Sequence, residues 1–245
     1  MPPTDASTDA GTAPVTDLGT DPGPGPGTDN EDTLDLRLPD ELLALLGSEV
    51  ESAGGDDLLD RIGGWGPIDT PVGTFHLVPV RVERDLPLVS RWMNDPAVAE
   101  FWELAGPESV AEEHLRRQLD GDGRSVPCLG VLDGAPMSYW EIYRADLDLL
   151  ARHYPARPHD TGLHLLVGGV ANRGRGLGSA LLRAVADLVL DRRPACARVV
   201  AEPDLRNMPS VAAFLSAGFR FSAEVDLPGK RAALMVRDRS LRDLL

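Results

Sequence analysis

The sequence predicts an α/β chain with a central mixed sheet flanked by helices, and three observations carry that expectation. Residues 162–217 read strand, glycine-rich turn, helix, strand, helix, a βαβα run whose strands lie parallel because a helix connects them. Asp133-Gly134 separates two apolar runs, as a two-residue antiparallel hairpin requires. Upstream, Leu86, Val89, Trp92 and Met93 recur at helical spacing.

In chain order, residues 74–78 (Thr-Phe-His-Leu-Val) read as a strand and residues 83–94 as a helix that Pro96 closes. A second helix is expected over 109–119, after Gly106 and Pro107, ending at Gly121-Asp122-Gly123. The hairpin strands are 126–132 and 136–143. Residues 144–160 are polar and contain Pro155 and Pro158, so they read as a loop with a short helix near 147–151. A strand over 162–167, a helix over 177–190, a strand over 197–201 and a helix over 209–217 follow, with closing strands at 219–223 and 232–236.

Charge divides the chain. Fifteen of its 39 acidic residues but only one of its 24 basic residues, Arg37, fall in the first 60 positions, so the formal charge of -15 resides there. The rest is nearly neutral and carries no basic footprint for nucleic acid. Residues 1–70 read as a disordered acidic extension rich in Pro and Gly, with no aromatic residue before Trp65, because such a segment buries too little apolar surface to offset its ordering entropy. Residues 71–245 are the expected catalytic domain. The start lacks the basic and apolar stretches of an export signal, and no apolar run is long enough to span a bilayer, so a cytoplasmic location without a membrane partner is the expectation. Cys128 and Cys196 sit in apolar contexts without metal-site spacing and read as core residues; no metal is expected. Lys230 is the only lysine, which reads as compositional bias.

The turn Asn172-Arg173-Gly174-Arg175-Gly176-Leu177-Gly178-Ser179 opens a helix. Glycines there let the backbone approach a ligand, so that N–H groups converge on an anion at the positive end of the helix dipole. A pyrophosphate suits this cradle, and the run matches neither a Walker loop nor a dinucleotide fingerprint.

Arg173-x-x-Gly176-x-Gly178 is similar to the pyrophosphate loop of GNAT acyltransferases. Ala201-Glu202-Pro203-Asp204, Asn207 and Gly218-Phe219 follow in the order of that family. The resemblance implies the GNAT fold over about residues 74–238, with acyl-CoA as co-substrate and acetyl-CoA as the expected donor. It implies that Leu166, Val167, the loop residues Arg173, Gly174, Arg175, Gly176, Leu177, Gly178 and Ser179, and Asn207 hold that co-substrate. Many GNAT enzymes place a tyrosine seven residues after this asparagine to protonate the leaving thiolate; Phe214 stands there.

A narrower likeness lies in Ser138-Tyr139-Trp140-Glu141-Ile142-Tyr143, in His159-Asp160-Thr161-Gly162-Leu163-His164-Leu165-Leu166 and in Glu202-Pro203-Asp204-Leu205-Arg206-Asn207. These runs resemble siderophore-biosynthetic lysine and hydroxylysine N-acyltransferases. That family implies a small amine or hydroxylamine substrate, with His164 and an acid at the next strand's end, Glu202 or Asp204, in substrate binding and base catalysis; Trp140 and Glu141 are further candidates for the substrate. The residues agree: an imidazole in a central strand needs a polar partner, and carboxylates at the carboxyl edge of parallel strands sit where open sheets bind ligands. Arg91-Trp92-Met93-Asn94-Asp95-Pro96 also resembles aminoglycoside 6'-N-acetyltransferases, which is the competing expectation. A non-catalytic acyl-CoA-binding module is a third.

Overall fold

Alternating apolar residues and tight turns build one eight-stranded sheet in the computed structural model, which describes residues 59–244. Its strands are β1 (Ile68–Thr70), β2 (Gly73–Pro79), β3 (Ser125–Leu132), β4 (Ala135–Arg144), β5 (Thr161–Val167), β6 (Arg198–Ala201), β7 (Arg220–Leu227) and β8 (Lys230–Asp238). They lie in the order β1-β2-β3-β4-β5-β6-β8-β7. Among them only β5 and β6 pair in parallel. Five α-helices flank the sheet: α1 (Val82–Met93), α2 (Pro96–Trp102), α3 (Glu108–Leu119), α4 (Leu177–Arg192) and α5 (Met208–Ser216).

The expected mixed sheet is therefore present. Asp133 and Gly134 both have positive φ, 48° and 80°, the backbone a primed hairpin turn needs, and they join β3 to β4. The first helix ends at Met93, before Pro96, as expected, but Pro96 also opens a further helix that the sequence did not announce. It occupies the first turn of α2, where its missing N–H costs nothing, and Asp95 caps the helix by accepting the Ala97 N–H at 3.0 Å. The expected loop over 144–160 carries two short 3-10 turns, Ala145–Leu147 and Leu149–Arg152. Its end is anchored by buried Asp160, whose carboxylate accepts from Arg198 of β6 and from the Tyr154 hydroxyl.

Period-two alternation sends successive side chains to opposite faces. On one face Trp140, Ile142 and Leu163 pack with Leu181, Val185 and Val189 of α4. On the other, Tyr139 and Leu166 pack with Val89, Trp92 and Met93 of α1 and Leu115 of α3. Cys128 and Cys196 are buried free thiols.

The folded part reaches further toward the N-terminus than composition implied. A 3-10 turn, Leu59–Gly64, places Leu59, Ile62 and Trp65 in the core beneath α4, and Arg192 donates to the Trp65 carbonyl at 2.8 Å. β1 then adds an edge strand. Composition, dominated by charge and glycine, places residues 59–70 in the acidic extension, yet three apolar side chains suffice to dock them; the extension before residue 59 lies outside the described residues. Ile62→Ala is expected to lower stability by about 2–5 kcal/mol, as truncation of a fully buried aliphatic side chain does, read from the shift of the denaturant midpoint.

One departure from regular pairing opens the sheet. β5 and β6 pair only at Thr161 with Val199 and Gly162 with Val200. Beyond Gly162 the two strands part, and β6 stops at Ala201 while β5 runs on to Val167.

Candidate active site

The register between β4 and β5 sets the first half of the site. Glu141 stands directly opposite His164, and Tyr143 opposite Gly162, so that the two strands present their polar side chains to one face. The second half comes from the end of β6: the chain leaves the sheet at Ala201, and Glu202 is the next residue.

These residues meet in a continuous polar array. His164 Nδ1 is 2.9 Å from Glu141 Oε2, and its Nε2 is hydrogen-bonded to Glu202 Oε1. The Tyr143 hydroxyl donates to Glu202 Oε2 at 2.7 Å. The far oxygen of Glu141 receives the Tyr139 hydroxyl at 2.9 Å, Gln118 Nε2 at 2.8 Å and His114 Nε2 at 2.5 Å. Lys230 Nζ donates to the Glu202 carbonyl oxygen at 2.8 Å and stands 3.6 Å from Glu202 Oε1.

An imidazole with a carboxylate at each nitrogen is held as a cation. Burial opposes the charge on His164, but Glu202 and Glu141 outweigh it and raise the pKa from 6.5 to about 10. The same contacts act on the acids in reverse. Burial would raise Glu202, yet His164, Lys230 and the Tyr143 hydroxyl pull it to about 2; Glu141 is likewise held well below the carboxylate range, burial being outweighed by His114 and His164. At neutral pH the array is thus carboxylate, imidazolium, carboxylate. Neither nitrogen of His164 is open to take a proton, whereas Glu202 keeps unused lone pairs.

The array lines a cleft of about 250 Å³ together with Trp102, Asn207, Phe214 and Lys230. A larger cleft of about 850 Å³ adjoins it, sharing Trp102, Leu165, Asn207 and Phe214. Its floor is the gap between β5 and α5, and at one end lies the glycine-rich turn. Gly174 and Gly176 have φ of 70° and 76°, and α4 starts at Gly176 without a side-chain cap. The first amides of α4 therefore lack both intrahelical and side-chain acceptors, and sixteen residues of helix dipole stand behind them. A Cβ built on Gly176 meets nothing within 4 Å, so the space in front of the turn is open. The cradle and the adjoining cleft fit an extended, pyrophosphate-bearing ligand such as an acyl-CoA. Gly176→Val is expected to weaken acetyl-CoA binding at least tenfold, because it places a side chain in that space and strains a left-handed position, with a smaller effect on the melting temperature; calorimetric titration checks it.

Most of the residues singled out in the sequence come together here. Leu166, Val167, Arg173, Gly174, Gly176, Gly178, Ser179 and Asn207 border the larger cleft or belong to its lining strand, and Leu177 packs beneath the turn. Asn207 caps α5, accepting the Ser210 N–H at 3.1 Å. Two residues depart from their expected use. Trp140 is fully buried on the opposite face of β4, donating to Ser138 Oγ, because it is one residue out of phase with Glu141; it reaches neither cleft. Arg173 turns its guanidinium inward to the carbonyls of Val167 and Gly168 and to Asp95, so its charge ties the turn to α2. Exposed Arg175 is the arginine of the turn whose contact is weak, 3.5 Å to the Ala171 carbonyl. Asp204 lines the smaller cleft, but its carboxylate is held by Arg206, leaving Glu202 as the acid on His164.

Four site residues escaped the sequence reading: His114, Gln118, Tyr143 and Lys230. Tyr143 could have been found, since it follows Glu141 by two and shares its face; nothing local marks the others.

Comparison with known proteins agrees with this fold. A family described as "Acetyltransferase (GNAT) domain" matches residues 81–227. The chain is 38% identical over 173 residues to "Lysine N-acyltransferase MbtK" of Mycolicibacterium paratuberculosis, covering 69% of this chain and 78% of that protein. It is 40% identical over 150 residues to "N(6)-hydroxylysine O-acetyltransferase" of Escherichia coli, covering 61% of this chain but 47% of that one. Among solved structures, AAC(6')-Ib in complex with an aminoglycoside and acetyl-CoA superposes with a TM-score of 0.62 at 25% identity, over 69% of this chain and 96% of that chain.

Proposed function

The chain belongs to the GNAT acetyltransferase family and is an acyl-CoA-dependent N-acyltransferase, and from that premise we propose that it moves an acetyl or other short acyl group to the side-chain nitrogen of lysine, N6-hydroxylysine or a related diamine, in the making of hydroxamate iron chelators. The observation that carries this reading is the Glu141, His164, Glu202 array at the mouth of a cleft leading to an uncapped helix. The names of the similar proteins support the choice of amine.

The thioester supplies an activated acyl carbon, and the protein's residues handle the amine. Lysine attacks as its neutral amine, its ammonium having first lost a proton to solvent, and Glu202 accepts the further proton that leaves the nitrogen once it has attacked the acyl carbon, when that nitrogen is far more acidic than a free ammonium. His164 works as a cation that aims Glu202 and keeps it ionised, and Glu141 holds His164 from behind. Tyr143 fixes the second oxygen of Glu202, its phenol kept protonated by burial and by the Glu202 charge. Phe214, buried on the cleft wall, has no proton to give the thiolate, which departs as the anion or is protonated by solvent.

Three buried carboxylates on one cleft, Glu141, Glu202 and Asp204, would also receive an aminoglycoside. Thiol release from acetyl-CoA with lysine, N6-hydroxylysine, ornithine and kanamycin separates the readings. Preference for lysine or its hydroxylamine is expected; preference for kanamycin overturns the assignment.

A further inference from the structure

We propose that Lys230 selects the acceptor, its ammonium receiving a carboxylate carried by the amine substrate. The inference rests on the function proposed above and goes further, in requiring an amino acid rather than a simple diamine.

Lys230 begins β8, beside the segment in which Asp204 bridges to Ala232 and the Leu205 N–H donates to the Arg231 carbonyl. That pairing carries the lysine to the lip of the smaller cleft, where its side chain is 31% exposed. An ammonium has three donors. One is used on the Glu202 carbonyl oxygen at 2.8 Å, and the nearest carboxylate oxygen, Glu202 Oε1, is 3.6 Å away. The neighbouring cations are differently placed. Arg206 grips Asp204 with two nitrogens, and His164 lies between two carboxylates. Lys230 is thus the cation of this cleft whose one hydrogen bond goes to a neutral carbonyl, beside a looser ion pair with Glu202 at 3.6 Å, which leaves two of its donors for an arriving anion.

The spacing suits an amino acid. An amine hydrogen-bonded to Glu202 Oε1 at about 2.9 Å is no more than about 6.5 Å from Lys230 Nζ, given the 3.6 Å separation. With the carboxylate oxygen itself about 2.9 Å from Nζ, the span needed at that separation lies between about 3.6 and 9.4 Å, and the side-chain nitrogen and carboxylate of lysine, up to about 7 Å apart at standard bond lengths, fall within it, so one molecule bridges the two groups. The same charge works against a polycation. In a cleft whose other walls are acidic, it opposes an acceptor with an ammonium where lysine has a carboxylate.

The test compares kcat/KM for lysine with that for 1,5-diaminopentane, which is lysine without its carboxylate, in the wild type and in Lys230→Met, Lys230→Gln and Lys230→Arg, with acetyl-CoA affinity reporting on folding. Wild type is expected to prefer lysine. The two neutral variants should cut the preference about tenfold or more, the scale of one charge-assisted hydrogen bond, through KM for lysine, while Lys230→Arg keeps most of it. An unchanged ratio overturns the proposal, including the case where both amines slow equally, which would leave Lys230 only the task of holding Glu202. A wild type that acylates lysine without preferring it to the diamine overturns this inference alone. A wild type that acylates kanamycin and neither lysine nor N6-hydroxylysine overturns it together with the proposed function.

Discussion

Gly162→Val is expected to reduce turnover by about a hundredfold while acetyl-CoA binding survives. A Cβ at Gly162 would lie inside the Tyr143 ring, which crosses β5 at that residue because Tyr143 and Gly162 are paired in register. The ring cannot retreat cheaply: Tyr143 is buried and packs on His164 with centroids 4.8 Å apart. Its displacement releases the hydroxyl from Glu202 and so frees one oxygen of the acid proposed to take the proton. Misplacement of a reacting group by about 1 Å costs on the order of 10² in rate, and overpacking a strand of this kind costs about 1–3 kcal/mol of stability. Tyr143→Phe separates the two effects. It keeps the ring and removes only the hydroxyl, so it should lose part of the turnover with little change in melting temperature. Full activity in Gly162→Val would mean that Tyr143 has no part in placing Glu202.

Fold and site were legible to different degrees, for physical reasons. The hairpin and the βαβα run declared themselves through local chemistry, Asp133-Gly134 at positive φ and the glycines that open α4. His164, Glu202 and the turn were found because a family pattern joined them. What the chain did not reveal is what distance in sequence hides. His114 and Gln118 reach Glu141 from α3, 27 and 23 residues away, and Lys230 reaches Glu202 across 28. Trp140 cannot be told from its neighbours in the sequence, because a run of aromatic residues around Glu141 looks alike until strand phase sorts it. Leu59, Ile62 and Trp65 form a short apolar pattern that the acidic composition around them masks.

The parting of β5 and β6 links the two halves of the reaction. A sheet paired along its whole length would bury the edge of β5 that runs from His164 to Val167; with pairing confined to Thr161 and Gly162, that edge faces the clefts. The loop between the strands supplies the phosphate turn at one end, and the end of β6 supplies Glu202 at the other. One irregularity in the ladder thus makes room for both clefts, proposed above to take donor and acceptor, with Phe214 and Trp102 forming walls common to both.

His164→Ala and Glu202→Ala are each expected to lower turnover with lysine by about 10²–10⁴, the usual worth of general acid-base help, while acetyl-CoA affinity stays near wild type because neither residue belongs to the phosphate turn. The two losses should not add, since the imidazolium acts only through the carboxylate it aims; the double variant should be little worse than the poorer single. N6-hydroxylysine, whose nitrogen is already neutral at physiological pH, should suffer less in every variant. The pH dependence isolates the cation. His164 is held protonated up to about pH 10, well above its ordinary 6.5, so its interactions are fully present below 6.5 and are lost as pH rises through about 10; those of Glu202 are present above 4.5 and are lost as pH falls toward 2. Wild type acting on N6-hydroxylysine should therefore show no imidazole limb near neutrality. Glu141→Gln removes one of the two charges that sustain the imidazolium, which lowers the His164 pKa toward 6.5 and brings a falling limb into the range between 6.5 and 10 as the cation is lost. If Glu202→Ala acylates both amines at the wild-type rate, the proton-acceptor assignment fails; if Glu141→Gln leaves the profile flat, His164 does not act as a cation.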